Sequence, residues 1–260
     1  MTGGIFSDFP ATRDGLMTRD LLWRGMLAGI LAALLATLFA RVVAEPQVDR
    51  AIAFESSHEA HQAGHGHDDG DDAEPVSRDM QKGLGLLTAM TLYGSAIGGM
   101  FSLLFAYAYG RLARIGPRTL AVSLAILAFI VIALVPALKY PPNPPAVGQP
   151  DTIQVRTATY FAMLAASVVA AIAAFRIRSI LAGHIRQFDA AIAAIASYIA
   201  IIAIAQFLLP HIDEVPADFP AQLLWKFRVA SLGIQAILWS SIGLGFGWMA
   251  DRVIRRTAAR

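Results

Sequence analysis

The sequence predicts an all-α fold: a polytopic transmembrane helix bundle of about six spans, with both termini cytoplasmic. Three observations predict it. The chain is 56 % hydrophobic and only 15 % charged, against roughly 25 % charged in ordinary soluble domains. Its apolar residues gather in six long runs, near 21–44, 84–109, 119–138, 157–175, 188–209 and 229–249, each close to the roughly 20 residues that a spanning helix needs. The basic residues alternate between connections as cytoplasmic loops require. Continuous apolar runs of this length are helices, because a helix pairs its own backbone groups where lipid offers no partner.

Taken in order, residues 1–20 read as a short cytoplasmic arm, 21–250 as the bundle, and 251–260 as a basic cytoplasmic tail. The first apolar run is too long for the core of a cleaved signal peptide, so it reads as a span. With the amino terminus inside, the inner segments hold 13 basic and 5 acidic residues, and the outer segments 7 and 14. Trp23 and Trp248 then fall at the inner interface and Trp225 at the outer one, as an aromatic belt would place them. The pI of 9.1 therefore reflects anchoring at the inner leaflet. The lipid bilayer is the first partner, and no nucleic acid is expected.

The first outer loop, 45–83, carries the strongest chemical signal. It contains HEAHQAGHGHDDGDDAE, with four of the six histidines of the chain (His58, His61, His65 and His67) and five carboxylates directly behind them. Imidazole nitrogen and carboxylate oxygen suit divalent first-row transition metals. Residues 47–63 are good helix formers, and Gly64 and Gly66 would end a helix there. On such a helix His58, His61 and His65 share a face. The aspartates from 68 to 72 form a like-charge run that self-repels in the absence of cations.

The second outer loop contains KYPPNPP, four prolines in six residues from Tyr140, which predicts an extended, polyproline-like path. The third, PHIDEVPADFP, places His211, Asp213 and Glu214 together as a smaller ligand set, with His211 and Glu214 the candidate ligands. Asp218 is the expected N-cap of the sixth helix, with Pro220 in its first turn.

Within the spans, Gly25 and Gly29, Gly94 and Gly98, and Gly243 and Gly247 repeat at spacing four. In lipid, packing drives helix association, so such faces let backbones approach. No Asp, Glu, Lys or His lies mid-span, which argues against a proton relay built from this chain alone. Polar residues that could line a path include Ser197, Gln206, Gln235 and Ser240, while Met80, Met90 and Met100 read as core fillers. There is no cysteine, no GxxxxGK[ST] loop and no HExxH, so the chain is not expected to be an enzyme.

The Glu45-Pro46 end of the first span, the histidine loop, VSRDMQKGLGL (76–86), VPALKYPPNPPAVGQPDTI (135–153) and HIDEVPADFPAQLLWKFRVASLG (211–233) together resemble the CbtA-type cobalt transporter subunit family. The resemblance covers almost the whole chain. It implies a membrane subunit of a cobalt uptake system serving cobalamin biosynthesis in the bacterial inner membrane. It also implies a small CbtB-type membrane subunit as partner, and a second copy of this chain is a further candidate. Co2+ would be the transported ion, with Ni2+ or Zn2+ as alternatives, since ligand type alone cannot name the metal. The competing reading is a membrane-anchored metal-binding or assembly protein that does not itself conduct ions.

Overall fold

The computed structural model describes residues 11–62, 81–111 and 115–258. It is all-helical, 85 % helix without strands, and six helices are long and apolar enough to cross a membrane. In order these are α1 (Ala11–Phe39), running through a π-helical segment (Ala40–Ala44) into α2 (Glu45–Gln62); α3 (Leu86–Ala108), entered through a second π segment (Gln81–Gly85); α4 (Pro117–Ala128), joined by a third (Phe129–Leu134) to the short α5 (Val135–Lys139); α6 (Ile153–Leu181); α7 (Gln187–Leu208); and α8 (Ala221–Ala258).

The spans were expected to be shorter. Thr18–Ser57 is a single span-forming helix of 40 residues, about 60 Å at 1.5 Å per residue. Helix α1 already begins at Ala11, within the stretch read as an arm, and α8 runs to Ala258, through the stretch read as a tail. Hydropathy registers only the apolar part of a helix, whereas segments such as QLLWKF and DRVIRR continue it because nothing in them interrupts backbone bonding.

Two of the π segments share a cause. Each directly precedes an Xaa-Pro pair, Glu45-Pro46 and Val135-Pro136. A proline ring clashes with the carbonyl four residues back, and widening the turn to i→i+5 bonding relieves it. The Glu45 N–H accordingly bonds Ala40 O, and the Val135 N–H bonds Ile130 O. The glutamate-proline pair expected to end the first span thus widens the helix instead of stopping it.

The chain divides into two compact units. One comprises Met1–Leu38, Val76–Ile126 and Ala236–Arg260, the other Phe39–Pro75 and Leu127–Gln235. In the first, α1 and α3 meet glycine to glycine: a Cβ on Gly25 would lie 2.8 Å from Ser102 Oγ, and one on Gly29 2.7 Å from the Gly94 carbonyl carbon. Gly243 of α8 lies against α4, where an added Cβ would meet that of Ala125 at 2.6 Å. The small-residue faces are therefore packing faces. Phe246 meets Phe101 and Phe105 edge-on at centroid distances of 5.6 and 5.1 Å in the core of this unit. Asp251 is buried with Arg118 and Arg255 each 3.0 Å away.

In the second unit α6 and α7 pack along one another, around Val135, Met163, Ala170 and Ile202. A second cluster joins Ala51 of α2, Val147, Phe219 and Leu223. Residues 141–144 of the proline-rich loop take no helical or turn structure, as expected, and Ala146 and Gly148 then turn at φ of 67° and 119°. Only glycine suits position 148, where a Cβ would also run into the Arg156 guanidinium. Exposed Leu31, Leu35, Ile195, Ile199, Phe207 and Leu244 are the lipid-facing surface that this composition requires.

Candidate metal-handling site

Helix α2 extends without a break from the first span to the start of the histidine loop, so His58 and His61 fall within its last turns. His65 and His67, like the acidic run behind them, lie outside the described residues.

The second expected ligand set is fully described, and its members go separate ways. His211 is exposed. Asp213 is exposed too, and its Oδ1 accepts the Val215 N–H at 3.3 Å. Glu214 turns inward: its Oε2 accepts the Gln149 N–H at 2.9 Å and lies 3.4 Å from Arg156 Nε, with only 10 % of its side chain exposed. The Thr152 hydroxyl, the Gln149 N–H and Arg156 hold its carboxyl below the ordinary value, against an opposing push from burial. Glu214 is thus tied to an arginine rather than to His211. Among the described residues no three His, Asp or Glu side chains gather to hold a metal.

Arg156 and Arg228 went unnoticed as site residues in the sequence. Arg228 Nη2 donates to Asn143 Oδ1 at 2.9 Å, with Asp213 close enough to act on its charge. Its Nε is buried without a hydrogen-bond partner. The two arginines and two carboxylates form a formally neutral layer that fastens the proline-rich loop and the third outer loop to α6 and α8. Lys139 Nζ and Tyr140 Oη add bonds of 2.7 and 2.8 Å to the Gln206 and Pro210 carbonyls. A signal existed: each arginine lies at the edge of an apolar run, next to loops that carry the carboxylates. The Asp251–Arg255 pair was likewise readable from its i, i+4 spacing.

The polar residues expected to line a path are partly committed. Ser197 and Ser240 donate to the carbonyls of Ala193 and Ala236, one turn back on their own helices. Met100 is 59 % exposed, so it is not the core filler expected, and Met80 lies outside the described residues. The expected capping of the last helix also shifts: its first residue is Ala221, and the Pro220 carbonyl accepts the Leu223 and Leu224 N–H groups, which places Pro220 before the first turn.

This arrangement offers histidines at a helix end and, in the unit that holds α2, a layer in which Glu214 is paired with Arg156. A dication at Glu214 would have to displace Arg156. A family model described as "Probable cobalt transporter subunit (CbtA)" matches residues 18–251. No curated protein and no solved structure matches the chain.

Proposed function

The chain belongs to the CbtA family of probable cobalt transporter subunits, and from that premise we propose that its histidine loop captures divalent cations for uptake through the helix bundle. Membership makes it a multi-pass membrane subunit with cobalt as the transported ion, in a transporter of more than one component. The proposal adds the route. His58, His61, His65 and His67 gather Co2+ on the outer face of a bacterial inner membrane, with Ni2+ as a second cargo. The bundle, together with a small CbtB-type subunit, passes it inward. A second copy of the chain is a further candidate partner. His211 and Glu214 form a weaker second site, at which the metal must compete with Arg156 for the carboxylate.

One observation carries this reading. A single helix leads from the first span to His58 and His61, which supports a loop that begins at the end of that span. The test is uptake of labelled cobalt over a range of concentrations by a variant with all four loop histidines changed to alanine. Capture predicts a higher half-saturating concentration with a nearly intact maximal rate. Loss of the maximal rate would instead make the loop an obligatory relay, and an unchanged curve would remove it from the pathway.

A second reading, a metal-binding or assembly subunit that does not conduct, draws support from the lack of a mid-span Asp, Glu, Lys or His. It predicts cobalt bound to the loop with no transport when this chain is expressed.

A further inference from the structure

We propose that the cleft between α2 and the first turns of α8 is a binding site for the headgroup of an anionic phospholipid. The cleft has a volume of about 600 Å³, and both of its walls belong to the second unit. Each wall contributes one cation and one side-chain amide: Arg50 and Gln47 from α2, Lys226 and Gln222 from α8. Among the described residues no acidic side chain is part of the lining. Of the acids nearest in sequence, Glu45, Asp49 and Asp218 already have partners, and Glu55, which follows the lining residue Phe54, is not part of the lining. Arg50 Nη1 donates to Gln47 Oε1 at 3.2 Å, which leaves the rest of its five-donor fork available. Lys226 forms no ion pair among the described residues. Arg50 and Lys226 are both exposed in one cleft, so together they present two positive charges to an anion that enters it.

Two further features select a lipid rather than a free anion. The floor is apolar, with Phe54 and Leu223 in the lining and Phe54 meeting Phe219 edge-on at 5.0 Å. The cleft also opens where the apolar surface begins. Lys226 is one turn from Val229, which is 48 % exposed, and next to Trp225, which is 69 % exposed. On the other wall Arg50 is seven residues from the exposed Val43, about 10 Å along a helix, a distance that a long cationic side chain shortens by reaching back toward the membrane. A phosphate held by the two cations would leave its acyl chains against these valines.

The test uses the purified full chain in nanodiscs of phosphatidylcholine, with and without phosphatidylglycerol, read by thermal unfolding and by native mass spectrometry of retained lipid. The wild type should gain several degrees with phosphatidylglycerol and retain it in the mass spectrum. The double variant R50Q/K226Q should lose both effects, and the charge-preserving R50K/K226R should keep them. Millimolar inorganic phosphate in phosphatidylcholine discs should leave the unfolding temperature unchanged. Equal gains in R50Q/K226Q and wild type, or no gain in the wild type, would overturn the site. Inorganic phosphate reproducing the gain would overturn the lipid as its ligand.

Discussion

Val131 shows at the scale of one residue how the spans tolerate proline. Val135 N–H bonds Ile130 O across the π turn, so the next donor in that pattern would be the nitrogen of Pro136, which has no hydrogen. The Val131 carbonyl is left to another helix, and Ser167 Oγ donates to it at 2.7 Å while also meeting Tyr198 Oη at 2.9 Å. Both Ser167 and Pro136 are fully buried. Ser167→Ala should therefore cost about 1–3 kcal/mol, the penalty of an unsatisfied buried acceptor, measured by unfolding in detergent. Tyr198→Phe should cost less, since the bond to Val131 survives. Glu214 supports a second prediction. Its carboxyl sits below the ordinary value because of Thr152, Gln149 and Arg156, so its stabilising effect is complete above the ordinary carboxylate range near 4.3. That effect is lost as pH falls through the depressed value. The stability gap between wild type and Glu214→Gln should be constant from neutral pH to about pH 5 and shrink below it. A gap that widened on acidification would contradict the ion pair with Arg156.

At the scale of elements, glycine spacing decides which helices meet. Gly98→Val should disrupt the α1–α3 crossing, because Gly25 and Gly29 backbone atoms occupy the space a side chain would need. A cost of about 1–3 kcal/mol is the ordinary penalty of overpacking, and backbone neighbours make it a lower bound. Gly245→Ala, with nothing within 4 Å of the new methyl, should be neutral or slightly stabilising, and thermal unfolding of the two variants checks the contrast. The helices, their number and these packing faces were legible in the sequence, because hydropathy and small-residue spacing are properties of contiguous chain. The continuity of α1 with α2 was not, because Pro46 reads as a stop unless a π turn is allowed for. The neutral arginine layer was not either, because Arg156 and Glu214 are 58 positions apart and only the fold brings them to 3.4 Å. Both candidate ligands of the third loop were visible as residue types, but not the partner that claims one of them. Topology is testable directly, since the chain has no cysteine. Asp151→Cys should react with an impermeant thiol reagent in intact cells and Gly183→Cys should not. The reverse pattern would invert the orientation drawn from the basic residues.

At the scale of the whole molecule, membership in a cobalt transporter family joins six candidate spans with a histidine-rich connection between the first and second of them. No Asp, Glu, Lys or His lies mid-span, so the proposed function looks to a second component for part of the path. The most direct test is initial-rate uptake of labelled Co2+ in cells lacking their own cobalt transporters, with this chain, the small CbtB-type subunit, both or neither. The account predicts saturable uptake only when this chain is present, and fastest with both. Uptake by the small subunit alone, unchanged when this chain is added, would contradict it.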